Sequence, residues 1–386
     1  MNDEERNTMS DRNKIYRSSF DGRISEIPFI SVDNFQYVAR AYFLTHHHTD
    51  HFIGLYTNSF CKVLALTKSV IYCTELTAAV IDHNCRWKGI PELTKFVKGL
   101  KYGSTLITLP KFINKSGDEI PELLITLSLV PAGHCLGSTM FLFKTPKVTV
   151  LFTGDFRIDV NDVSKYEALH CDGQPIKIDT MYMDTTFLDF KYKDFPKRSD
   201  SIDVLIQEIN KFLKMYARGA ISISTSAVFG YEYVFNEIYR RLGIKVYVED
   251  KKWDFYNNIQ HLVPGVTNND NEDRVHLCRF NPISDDDPCI KNKYKVFLHI
   301  HLSAMRWANY NIGDRPIINL MQEHIYVCFA THCSAQEIMY FKNYFNPGKV
   351  IGFPTQYKEI DFTNDDLNLR KDKKLKTNLA KLLFGL

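Results

Sequence analysis

The chain has 386 residues, room for two domains of ordinary size or one large domain carrying an insertion. Its 45% hydrophobic, 24% charged and 13% aromatic content, with 18 Gly and 14 Pro, excludes collagen-like, coiled-coil and wholly disordered architectures. Lys and Arg number 48 against 45 Asp and Glu, a formal net charge of +3, so any affinity for a polyanion must come from a local surface and not from bulk charge.

Residues 1–20 are polar and acidic at the start, MNDEERNTMSDRNK, and read as a flexible leader without the basic and then apolar pattern of a signal peptide. No run of about 18 apolar residues follows, so no membrane partner is expected. Nine cysteines, an odd number scattered from Cys61 to Cys333, do not form a disulfide framework and point to a reducing compartment.

Order is expected from near Ile24. From there to about Phe187, short β-rich runs are closed by Gly, Pro or Asp: FISVDNF, AYFLTHHHTDH, STLITLP, LLITLSLVPAGH, STMFLFKT, VTVLFTGDF and TMYMDTTF. The apolar faces on both sides of VTVLF and LLITLSLV predict strands buried inside a layered α/β domain. Beyond Thr186 the rhythm changes to β-α-β. A helix is predicted over 200–216, a strand at AISIST, a helix at YEYVFNEIYRRLG ended by Gly243, and a strand at KVYVE. TNNDNEDR (267–274) and SDDDP (284–288) read as loops around the short strand RVHLC. KYKVFLHIHLS, IYVCFATH and KVIGF return to strands, with a helix at SAQEIMYFKNYF between the last two. The Lys/Leu-rich tail from Arg370 to Leu386 reads as an amphipathic terminal helix packed on the body, the alternative being a basic DNA-contacting or import element.

The segment Thr45-His46-His47-His48-Thr49-Asp50-His51 holds four of the chain's 13 histidines. On an extended backbone alternate side chains point the same way, so His46 and His48 can converge on one metal while His47 points elsewhere. Asp50 and His51 fall just beyond the strand, where a turn could aim them at a second, adjacent metal. Imidazole and carboxylate donors suit zinc or a similar divalent ion, and a site with open positions lowers the pKa of water, which is hydrolytic equipment. The pattern recurs: His134 follows the buried strand LLITLSLV, and Asp155 follows VTVLF.

These residues resemble a known family. HHHTDH, PAGHCLGS and TGDFR are similar to successive motifs of the metallo-β-lactamase fold in its nucleic-acid-cutting branch, β-CASP, and the overall pattern is closest to the Artemis type of DNA-repair nuclease. The resemblance spans roughly residues 18 to 355. It implies an αββα metallo-β-lactamase sandwich with an inserted α/β domain: residues 21–183 and 315–386 for the first lobe, 184–314 for the β-CASP lobe. It also implies His46, His48, His134 and Asp155 around a firmly held zinc, with Asp50, His51 and the shared Asp155 at a second, weaker metal, for which magnesium or manganese are alternatives. Asp33 in FISVDNF would brace the ligand loop from outside the coordination sphere. Asp184 in YMDTTF and His332 in CFATHCSAQEI match the first two β-CASP motifs, with His332 as acid or phosphate stabiliser oriented by Asp184. Val350 in KVIGF stands where the third motif is expected and where RNA-processing members carry histidine.

The resemblance further implies a structural zinc in the inserted lobe, held by His276, Cys278 and Cys289. The fourth position carries Tyr247 in place of histidine, with His261 or water as substitutes. The lysine expected near Ser226 is absent, which removes one phosphate contact. The implied activity is metal-dependent hydrolysis of DNA phosphodiesters in double-strand break end processing or cross-link repair, by an endonuclease or a 5′–3′ exonuclease. The implied partners are DNA ends and DNA-repair proteins, and the implied location is the nucleus. An RNA 3′-end-processing endonuclease and a non-catalytic repair scaffold are the competing readings.

Overall fold

The computed structural model describes residues 19–114, 116–269, 274–278, 296–321 and 324–362. Most of the expected leader, the SDDDP loop, Cys289 and the Lys/Leu tail lie outside the described residues. Ser19 and Phe20 do not behave as a leader: Phe20 is buried, its ring 5.1 Å from Phe152 and 5.5 Å from both Tyr182 and Phe353.

Two sheets build the first lobe. Four parallel strands, Ile30–Val32, Ala41–Phe43, Ile71–Thr74 and Val97–Leu100, lie in that order. Six more run in the order Lys349–Phe353, Thr180–Asp184, Thr149–Phe152, Thr139–Lys144, Leu123–Pro131, Gly103–Leu109; the first three are parallel and the rest antiparallel. The two-residue period of each strand sorts its side chains between layers. Phe43, Phe141, Phe143, Val150 and Phe152 enter the core between the two sheets. Their neighbours Met140, Leu142 and Leu151 face the opposite way, onto Ile338, Phe341 and Phe345 of the helix Ala335–Phe345. On the outer face of the four-stranded sheet, Tyr42, Ile71 and Cys73 pack against Phe60 and Leu64 of helix Asn58–Thr67 and Ile81 and Cys85 of helix Glu75–Lys88. The result is the expected αββα sandwich, with each large apolar side chain so buried contributing about 1.5–3 kcal/mol.

The inserted lobe is a seven-stranded sheet in the order Val266–Thr267, Val246–Tyr247, Val275–Leu277, Ala220–Thr225, Phe297–Ser303, His324–Cys328, Ile317–Met321. All neighbours are parallel except the last pair. Helices Arg198–Met215, Glu232–Leu242 and Asp250–Tyr256 cover its apolar face through Ile202, Leu205, Val234, Ile238 and Phe255. The expected return to the first lobe at 315 is too early. Strands Ile317–Met321 and His324–Cys328 still pair inside this sheet, and the chain rejoins the first lobe only with the helix Ala335–Phe345.

Candidate metal centre and acid–base pair

Each candidate residue stands at or just beyond the carboxyl end of a strand. His46 follows Ala41–Phe43, His134 follows Leu123–Pro131, Asp155 follows Thr149–Phe152, Asp184 ends Thr180–Asp184, and His332 follows His324–Cys328. Parallel packing brings the carboxyl ends together, where backbone leaves the ladder and side chains are released toward a common crevice. Gly154 permits this convergence. It adopts φ +54°, and a Cβ there would meet the Thr45 side chain at 2.8 Å.

Donor atoms of His46, His48, His134 and Asp155 all lie within 4.8 Å of one another. Asp155 Oδ2 is the hub, 3.6 Å from His46 Nε2, 3.3 Å from His51 Nε2, 3.6 Å from His134 Nε2 and 3.8 Å from His332 Nε2. His46 Nε2 is buried and has no hydrogen-bond partner, the state expected of a nitrogen reserved for a cation. Three imidazoles and one carboxylate, mostly buried and converging, fit zinc or a similar divalent ion. His47 turns away from the cluster and meets the Tyr56 hydroxyl at 2.5 Å.

Asp33 is buried at the end of strand Ile30–Val32. It accepts hydrogen bonds from Thr45 N at 2.8 Å and Thr45 Oγ1 at 2.6 Å, and pairs with His51 Nδ1 at 2.8 Å. Burial raises its carboxyl, against the lowering pull of His51. Burial opposes the charge on His51 as well, but the carboxylates of Asp155 and Asp33 outweigh it and hold that imidazole well above its usual range. His51 also meets Asp50 Oδ2 at 3.5 Å; Asp50 is half exposed and belongs to none of the three-donor groups among the described residues. A second group of donors joins Asp33, His46 and His51, and a third joins Asp155, Asp184 and His332.

His332 Nδ1 lies 2.8 Å from Asp184 Oδ2, while Asp184 Oδ1 accepts from Thr186 N and Thr186 Oγ1 at 2.8 and 2.6 Å. Burial disfavours the imidazolium, but Asp184 and Asp155 together overcome it and push His332 up to about 9. The Asp184–His332 pair thus stands beside the cluster, with His332 Nε2 facing the Asp155 side.

One expectation takes a different form, and one falls partly outside the described residues. Val350 pairs with Met181, three residues before the strand end at Asp184, and packs into the apolar layer beneath the helix Ala335–Phe345. At about 3.3 Å per residue it stands roughly 10 Å short of the ligand edge. Its side chain therefore faces that apolar layer and not the ligand edge. In the inserted lobe His276 and Cys278 are both buried, and the Tyr247 ring lies 5.0 Å from that of His276. Among the described residues these form no group of three donors, His261 is exposed on a turn, and Cys289 lies outside the described residues.

Several functional groups gave no sequence signal because they are backbone atoms. The Phe229 carbonyl faces His48 Nε2 at 3.0 Å, and the Thr331 carbonyl faces His134 Nδ1 at 2.9 Å. Arg157, within the TGDFR segment, bonds Glu337 at 3.1 Å and the His332 carbonyl at 3.3 Å, tying the loop that carries His332 to the first lobe.

No protein-family model matches the chain. Over 344 residues it is 31% identical to the protein named Artemis of Rattus norvegicus, covering 86% of this chain and 48% of that one. Over 348 residues it is 30% identical to Artemis of Homo sapiens, with the same coverage of 86% and 48%. The DNA cross-link repair 1A protein of Gallus gallus is 28% identical over 345 residues, 83% of this chain and 31% of that one. The chain thus spans about half the length of the Artemis proteins it matches. Among solved structures, a protein of unknown function from Enterococcus faecalis V583 superimposes with a TM-score of 0.50 at 11% identity, over 81% of this chain and 75% of that one, a likeness of fold alone.

Proposed function

We propose that the chain is a metallo-β-lactamase/β-CASP nuclease like its Artemis and DNA cross-link repair 1A relatives, and that it hydrolyses DNA phosphodiester bonds in a metal-dependent repair reaction. The observation that carries the reading is the convergence of His46, His48, His134 and Asp155 beside the Asp184–His332 pair, with both lobes contributing to one crevice. His46, His48, His134 and Asp155 would hold zinc, with magnesium or manganese as alternatives. Asp50, His51 and Asp155 would contact a second ion. Asp33 braces the loop through Thr45 and His51.

A divalent ion held by His46, His48, His134 and Asp155 would supply Lewis acidity toward a phosphoryl oxygen and would acidify nearby water. The protein's own part is positional and protonic. His332 enters the reaction as the imidazolium, donates a proton from Nε2 to the departing oxygen, and is kept in register by Asp184 at Nδ1. The fixed charges around Asp155 stabilise the developing charge with no reorganisation at the moment of reaction. DNA ends, DNA-repair proteins and a nuclear location follow as the partners and place of such an enzyme. No helix among the described residues is long and apolar enough to cross a membrane. The lobe division we propose follows the sheets, with the insertion running from Thr185 to Cys328.

The test is cleavage of end-labelled DNA hairpins, overhangs and single strands, beside matched RNA, by the protein and its Asp155→Asn variant. Internal DNA cuts that vanish in the variant support an endonuclease, and stepwise loss from 5′ ends supports an exonuclease. Cleavage of RNA alone, or DNA cleavage unchanged by the substitution, would overturn the proposal.

A further inference from the structure

Two imidazoles of the candidate metal centre are oriented by backbone from the inserted-lobe side of the crevice. A carbonyl oxygen only accepts, so the ring nitrogen facing it must carry the proton, and the other nitrogen is left as a lone pair. For His48 the protonated atom is Nε2, at 3.0 Å from the Phe229 carbonyl. Its Nδ1 then faces His134 Nε2 at 3.0 Å, both lone pairs directed at the shared cation position. Rotation of the Phe229 peptide would remove this constraint on His48.

What holds that peptide is a buried carboxylate. Glu232, at the start of helix Glu232–Leu242, is 6% exposed. Its Oε2 accepts from Gly230 N at 2.9 Å, and its Oε1 accepts from the Tyr256 hydroxyl at 2.8 Å. Gly230 sits at φ +114°, and a Cβ there would lie 3.1 Å from Cys135 Cβ, so the turn presses against the residue next to His134. The Phe229 ring is packed 5.3 Å from Phe255 and 6.2 Å from Tyr256. The chain of contacts therefore runs Tyr256, Glu232, Gly230, Phe229, His48 without a gap.

We propose that Glu232 is a positioning residue of the metal centre: it fixes the 229–230 turn so that the Phe229 carbonyl presents His48 to the cation through Nδ1. The proposal rests on the reading that His48 is a metal ligand. Groups that orient a ligating histidine typically change metal affinity about 10–100-fold when removed. A carboxylate with a purely structural role would alter stability and leave affinity and ligand field untouched.

The experiment is titration of the metal-stripped full chain with Co²⁺, followed by its visible ligand-field spectrum, in the parent, His46→Ala, Glu232→Gln and Tyr256→Phe. Glu232→Gln keeps the volume but turns one acceptor into a donor opposite a donor. It should bind Co²⁺ about 10-fold or more weakly, with an altered spectrum. Tyr256→Phe removes one of the two anchors and should weaken binding in the same direction; it carries the test if Glu232→Gln does not fold. Parent-like affinity and spectrum in either folded variant overturns the proposal even if its melting temperature falls. The ligand reading is tested separately, because it predicts binding by the parent and loss in His46→Ala. Failure of that pair would remove the ligand reading, and this inference with it.

Discussion

Asp33 shows how much a single buried side chain is asked to do. It stands at φ +54° beyond a short strand and satisfies Thr45 N, Thr45 Oγ1 and His51 Nδ1 at once, all without solvent. Asp33→Asn places an amide donor against these donors and leaves His51 with only one of its two buried counter-charges, Asp155. Removing one partner of such a pair costs about 3–5 kcal/mol, and a denaturant titration should show that loss even with no substrate present. His301 offers a contrasting case away from the metal centre. Burial, then His324 and Arg306, lower its imidazole to about 4. In the unfolded chain it titrates near ~6.5, so between these values the unfolded state takes up a proton that the folded state refuses. Stability should therefore fall as the pH drops from about 6.5 to about 4. His301→Gln should flatten that part of the stability curve; an unchanged slope would assign it to other groups.

At the scale of elements, the helix Ala335–Phe345 links local capping to the site. Ser334 Oγ accepts from Glu337 N at 3.3 Å, and the Glu337 carboxylate accepts from Ser334 N at 2.7 Å, a reciprocal capping box. The same carboxylate binds Arg157, which also holds the His332 carbonyl. Ser334→Ala should cost about 0.5–2 kcal/mol in thermal unfolding. Because His332 lies two residues before the cap, its activity should fall further than the stability loss alone explains. Activity parallel to the folded fraction would show that the cap and the site are independent. Elements with near-continuous apolar runs, such as Leu123–Pro131 and Thr139–Lys144, were legible from sequence. Strands Ile71–Thr74 and Val97–Leu100 and helices Asn58–Thr67 and Glu75–Lys88 were not read. The strands have only four residues each, and the helices bury a mixed stripe that includes Phe60, Leu64, Thr77, Val80, His83 and Cys85.

For the whole molecule, the centre joins parts of the chain as distant as His46 and His332. A cation that binds only when these parts are assembled stabilises the fold by mass action, about 2.7 kcal/mol at 100 times its Kd. Zinc should therefore raise the melting temperature in a concentration-dependent way, and chelation should reverse it. His46→Ala should abolish the shift. A shift that persists in the variant would place the binding elsewhere. The two lobes also share packing outside the crevice: Leu76 and Val80 of helix Glu75–Lys88 join the inserted lobe's core, and the His83 ring lies 5.8 Å from Phe255. Relative motion of the lobes would disturb this seam together with the Phe229 and Thr331 carbonyls that orient His48 and His134.

The sequence by itself singled out the candidate donor residues and the layered α/β class, because both are local signals: donor residues recur at strand ends, and near-continuous apolar runs mark strands buried on both sides. Tertiary structure alone decided three further things. The inserted sheet runs on past 315, since strand pairing is a long-range choice. Val350 stands too far back along its strand to face the site, since register depends on the neighbouring strand. The Phe229 and Thr331 carbonyls stand against the His48 and His134 rings, since every residue carries a carbonyl and only the fold determines which one meets a given ring.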